Sequence, residues 1–206
     1  MWYRCSGRLP LCMLLLVLWL PVAAAADTSH PLEPLDLSSP RATLNSLLTT
    51  ADSYFRLASE EYWNTPSRAI ADRLHEIGLE AERTLDLSEV PPAARFEIGR
   101  DAIIYLYEVL SRIELPSMVD IPDAAFYADA DADRTDDKPT SWTIPHTEIT
   151  IARIADGPRS GEFLFDPETV ARAGEFYKKT RMQPYLRDVP LEHFAEKRAY
   201  LSIASG

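Results

Sequence analysis

Three times in this sequence a helix-capping residue stands directly before proline: Ser39-Pro40, Thr65-Pro66 and Asp166-Pro167. A serine, threonine or aspartate oxygen can accept a free N–H of the first helical turn, and proline presets the backbone angle that this turn needs. Each pair precedes apolar residues at helical spacing. After the first, Leu44, Leu47, Leu48, Ala51, Tyr54, Phe55 and Ala58 fall on one stripe; after the second, Ile70, Leu74, Ile77 and Ala81; after the third, Val170, Ala173, Phe176 and Tyr177. A further helix is predicted after Pro91-Pro92, with Phe96, Ile103, Leu106, Leu110 and Ile113 on one face and Ile104 and Tyr107 elsewhere. Apolar on more than one side, it should be the most buried helix, and Pro116 should end it. The pattern predicts a mainly α-helical domain.

A minor β component is expected beside it. Residues 117–140, with Pro122, Pro139 and many aspartates, read as a long loop, and regular structure resumes near Trp142. Ile149 and Ile151 alternate with Glu148 and Thr150 before Asp156-Gly157-Pro158, while Phe163 and Phe165 share a face after Gly161. Two short strands joined by a turn, a small β-hairpin near 142–165, follow from that alternation. A last amphipathic stretch is predicted from Pro190 through Leu191, Phe194 and Leu201.

The N-terminus has the pattern of an export signal. Arg4 and Arg8 stand without acids, Leu11 to Leu20 is apolar, Pro21 breaks the run, and Val22 to Ala26 supplies small residues. Cleavage is expected after Ala26, followed by an extended leader over 27–39 and a single extracytoplasmic domain over 40–206. An uncleaved anchor is the rival, because Leu9 to Ala26 is uncharged and close to the length of a bilayer span. A lipid-modified Cys12 fits less well, since Pro10-Leu11 precedes it in place of small residues.

Removing 26 of 206 residues leaves 180, enough for one domain and its core. Both cysteines, Cys5 and Cys12, leave with the signal, so that core is expected to hold without disulfides. Loss of Arg4 and Arg8 takes the formal charge from −11 to −13. Such a surface repels phosphate backbones and argues against a nucleic-acid partner. No later stretch reads as a membrane span: Ala102 to Tyr107 is cut short by Glu108.

Motifs that carry chemistry are incomplete. Asp129, Asp131 and Asp133 are spaced like the first ligands of a calcium loop, but Arg134 stands where the turn glycine belongs and Thr140 where the bidentate glutamate belongs. His30, His75, His146 and His193 are far apart, and Leu79 occupies the position where a zinc-hydrolase helix following His75-Glu76 needs its second histidine. Ser160 lies one place late for a nucleophile elbow between Gly157 and Gly161. The 32 acidic residues leave a dispersed pair of catalytic carboxylates open, without singling one out. No catalytic, cofactor-binding or metal-ligating residue is predicted.

The segment from Trp142 to Tyr185, WTIPHTEITIARIADGPRSGEFLFDPETVARAGEFYKKTRMQPY, resembles part of the extracytoplasmic N-terminal domain of some larger small-conductance-type mechanosensitive ion channels; Pro31 to Leu48 resembles the start of the same domain. Its distinctive features are the Trp-x-Ile-Pro-x-Thr-Glu-Ile start, the Gly-Pro turn and the Gly-Glu-Phe-Leu-Phe strand. The resemblance implies protection against osmotic stress: transmembrane transport through a homo-oligomeric pore that opens under bilayer tension. This domain would have an assembly or modulatory role on the periplasmic or extracytoplasmic face of the inner membrane, partnered by a membrane-embedded channel region absent from this chain. Trp142, Ile144, Pro145, Glu148, Phe163, Phe165, Phe176 and Tyr177, where the resemblance concentrates, form the candidate interaction surface. Two alternatives remain: a stand-alone exported helical module that binds a partner or envelope component, and a hydrolase with dispersed carboxylates.

Overall fold

Ser39 begins the first helix as its sequence requires. In the computed structural model, which describes residues 34–132 and 140–197, its hydroxyl accepts the Ala42 N–H at 3.2 Å and Pro40 opens α1 (Pro40–Leu57). The expected signal, most of the leader, Asp133 and Arg134 of the acidic tract, and Leu201 lie outside the described residues. α1 buries Leu44, Leu47, Leu48, Ala51 and Phe55 and runs into a π-helical turn, Ala58–Tyr62, where the Trp63 N–H reaches the Ala58 carbonyl. The next helix, α2 (Arg68–Glu82), starts two residues later than Thr65-Pro66 suggested. Ser67, extended and past the proline, supplies the cap by accepting the Ile70 N–H at 3.3 Å. Only Leu74 and Ala81 of α2 are buried.

α3 (Arg95–Leu110), entered through a 3₁₀ turn at Pro92–Ala94, is the central helix. Ala102, Ile103, Ile104, Leu106, Tyr107, Val109 and Leu110 are all buried, as an apolar surface on several sides demands. Phe96 departs from expectation and is half exposed. The helix also ends earlier than Pro116, because Ser111 turns its hydroxyl back onto the Tyr107 carbonyl and Arg112 N–H closes a tighter turn on Val109. The predicted long loop is in part helical: a 3₁₀ turn at Met118–Asp120 leads to α4 (Ala124–Ala132). Asp123 caps α4 by accepting the Phe126 N–H at 3.0 Å, and the alanine-rich sequence that follows sustains the helix.

The β component is a three-stranded antiparallel sheet, β1 (Ser141–Thr143), β2 (Thr150–Arg153) and β3 (Phe163–Phe165), in that order. The predicted hairpin is β2–β3, with Ile151 opposite Phe165; β1 adds Trp142 opposite Ile151. The far edge of β3 is closed by two other segments. Its Phe163 N–H donates to the Leu37 carbonyl of the extended residues before α1, and Phe165 bridges Leu85 after α2. Residues 34–39 are thus part of the domain, with Leu37 buried. Asp166 then caps α5 (Pro167–Thr180), accepting the Thr169 N–H at 2.7 Å, while Thr169 Oγ1 accepts the Thr150 N–H and ties α5 to β2. α5 lies against α3, with Tyr177 stacked on Tyr105, and one further helical turn forms at 194–197. Among the described residues no helix is long and apolar enough to cross a membrane.

Candidate functional site

The eight residues predicted to form an interaction surface separate into two groups. Ile144, Phe163, Phe165, Phe176 and Tyr177 are buried members of the main core, and Trp142 packs partly against it. Pro145 and Glu148 are exposed. The surface reading is therefore corrected for most of the set: their side chains hold the sheet to the helices and are not offered to a partner. Phe163 and Phe165 are on a strand whose intervening Leu164 is buried too, so no face of β3 is wet.

Each distinctive feature of the resembling segment has a structural task. In Ile144-Pro145-His146-Thr147 the proline and a positive φ of 62° at His146 make a tight corner, closed by Thr147 N–H on the Ile144 carbonyl at 3.1 Å. Thr147 Oγ1 donates to the same carbonyl and accepts the Ile149 N–H, which aims Ile149 into the core. In the second turn Gly157 and Gly161 have φ of 89° and 93°, a region where a side chain is strained. Arg159 between them pairs with Glu162 and reaches the carbonyls of Arg83 and Leu85, fastening the turn to the end of α2.

What this segment does present to solvent is charge. Arg172 on α5 makes a two-pronged pair with Glu148 at 3.1 and 2.9 Å and also meets Glu168 and Glu175, both at 3.2 Å; Lys179 bonds Glu175 at 2.6 Å. The hydrogen bonds from Arg172, then Lys179, hold the Glu175 carboxyl down to about 2 from an ordinary 4.5, and Arg172 is shifted up by its hydrogen bonds to Glu148, then Glu175. A carboxyl with a depressed folded value contributes its stabilisation above the unfolded value and loses it as pH falls through the folded one. The cluster should therefore be intact above about 4.5 and come apart on acidification toward about 2. NMR titration of the Glu175 carboxyl tests this; a midpoint near 4.5 would show that the cluster does not persist in solution.

A second polar centre is buried. Glu108 and Arg112, one turn apart at the end of α3, form an ion pair from which solvent is excluded. Tyr185 donates its hydroxyl to Glu108 at 2.7 Å and lays its ring under the Arg112 guanidinium at 3.8 Å. The same hydroxyl accepts the His193 N–H, and Glu108 also accepts the Ala195 N–H at 3.3 Å. Next to it Asp52 of α1 accepts from both the Tyr107 hydroxyl and Arg187. Burial, then the hydrogen bond to Asp52, pushes the Tyr107 phenol upward; burial does the same at Tyr185 and takes Tyr177 to about 12. None of these phenols is poised to move a proton near neutral pH. An acid and a base four residues apart are equally the pattern of an exposed helix pair, so this centre has no sequence signal of its burial.

The three histidines among the described residues do not converge: His75 packs on Phe96, His146 sits at the hairpin corner and His193 meets Tyr185 edge-on. Among the described residues no group of three or more His, Cys, Asp or Glu side chains could hold a metal ion. An open groove of about 370 Å³ lies between the starts of α1 and α4, but its one arginine, Arg41, is already bonded to Asp123 and to the carbonyls of Ile121 and Val119. Fold and polar centres together define a mainly helical domain with a small antiparallel sheet and a salt-bridged exterior. No protein-family model, no curated protein and no solved structure matches the chain.

Proposed function

We propose that this chain is an extracytoplasmic domain of a small-conductance-type mechanosensitive channel, contributing contacts and no chemistry to protection against osmotic stress. One observation carries the reading. The residues of the resemblance, from Trp142 to Tyr185, are the framework of a single unit in which the hairpin corner, the buried strand, the capped helix and the Tyr185 anchor each have a partner in the domain. A likeness spread over residues with such different structural tasks is what a shared fold leaves in a sequence. Tension favours whichever channel state has the larger in-plane area, and an external domain shifts that balance only through contacts that differ between states. In this reading the domain follows an export signal, and assembly runs through a membrane-embedded region outside these residues.

The test is an in-frame deletion of residues 34–197 in the native gene, with patch-clamp recording and survival of an abrupt drop in external osmolarity as readouts. A shifted tension threshold together with changed survival is the expected result. If both stay as in the wild type, the channel reading fails and a stand-alone exported module takes its place.

A further inference from the structure

We propose that residues 181–197 form a releasable strap, which undocks from α1 and α3 as one cooperative unit while the helices and sheet stay folded, with Glu108, Arg112 and Tyr185 as its latch. This does not depend on the channel reading.

The bonds that hold the strap differ in kind from those inside the core. Of its apolar residues only Phe194 is buried, against Phe55 and Tyr54; Val189, Leu191 and Ala195 pack in part, and Met182 and Leu186 face solvent. Its attachment is otherwise polar. Leu186 N–H donates to the Ser111 carbonyl at 2.8 Å, Arg112 Nε donates to the Gln183 carbonyl at 3.2 Å, and Arg187 pairs with Asp52 and reaches Ser111 Oγ at 3.3 Å. The Tyr185 and Ala195 bonds to Glu108 add to it, as does a long bond of 3.4 Å from the Tyr177 hydroxyl of α5 to Glu196.

Water replaces such bonds at little net cost, whereas it cannot replace the apolar packing of α1, α3, α5 and β3. The latch itself is strained by burial. Glu108 and Arg112 lose hydration when the strap closes, and Arg112 Nη2 makes no hydrogen bond to the described protein. Opening the strap rehydrates both charges, which offsets much of what it breaks. The result is a sub-global opening well below the free energy of unfolding. It uncovers the Phe55 and Tyr107 rings near the ends of α1 and α3, which Phe194 and Arg187 of the strap cover when it is closed.

Native-state hydrogen exchange on the full chain, read by NMR, tests the proposal. In the wild type at low denaturant, the Leu186 and Ala195 amides should exchange at least about tenfold faster than those of Leu106 and Leu110, with a shallower dependence on denaturant because less surface is exposed. Tyr185→Phe keeps the ring under Arg112 and removes only the hydroxyl; it should speed the strap amides by about another tenfold and leave α3 unchanged. A single opening shared by strap and α3 amides, or equal acceleration of both by Tyr185→Phe, overturns the proposal.

Discussion

Arg112→Met is expected to destabilise the domain by about 3–5 kcal/mol, because it leaves the Glu108 carboxylate buried without its counter-charge. Tyr185 and the Ala195 N–H still reach that carboxylate, but neither carries a positive charge. A loss of this size is a large part of the stability of an ordinary domain, so the urea midpoint should fall steeply. The double change Glu108→Leu with Arg112→Met separates the cause. Replacing a buried pair by apolar groups of similar volume is often neutral or stabilising, so the double variant should recover most of the loss. If Arg112→Met alone costs less than about 1 kcal/mol, the pair is hydrated in solution and behaves like a surface bridge.

Phe165→Ala should cost a similar amount, about 3–5 kcal/mol. The ring is fully buried on β3, opposite Ile151, and its backbone joins the end of α2 to the sheet through Thr84 and Asp86. Truncation removes apolar surface from the middle of three elements and leaves a cavity that the paired backbone cannot collapse to fill. Met182→Ser, at a side chain 86% exposed, is the control and should stay within about 0.5 kcal/mol. Thermal or urea unfolding of the two variants distinguishes core from surface: a stable Phe165→Ala domain with a binding defect would restore the interaction-surface reading that the burial of Phe163 and Phe165 overturns.

The helical class was legible because its signals are local. Ser39 and Asp166 cap the helices they precede, since a side-chain oxygen and a following proline act within one turn whatever the rest of the chain does. The central helix announced itself by being apolar on several sides. Errors fell where a local signal was weak or had a competitor. Ser67 took the cap from Thr65, and the aspartates and prolines around α4 concealed nine residues that form a helix once Asp123 supplies its first bond.

The candidate surface was misread for a physical reason. Alternation along a strand identifies a buried face only if the other face is wet, and β3 is covered on both sides and along its outer edge by Leu37 and the segment after α2. Nothing local to Phe163-Leu164-Phe165 says so. The same holds for Glu108 and Arg112. Four residues apart on a helix they read as an ordinary surface pair, and only the return of the chain through Tyr185, His193 and Ala195 takes them out of water.

The sequence by itself therefore determined where α1 and α5 start, which helix lies at the centre, and that two short strands meet at a glycine turn, because each depends on neighbours within a few residues. Tertiary structure alone decided which aromatic side chains are core, that a third strand and the residues before α1 complete the sheet, and that a buried ion pair holds the C-terminal strap. Apart from the third strand, whose partner is close in sequence, those outcomes depend on distant segments, 77 residues apart between Glu108 and Tyr185 and 135 between Asp52 and Arg187, and burial is a property of where such segments meet.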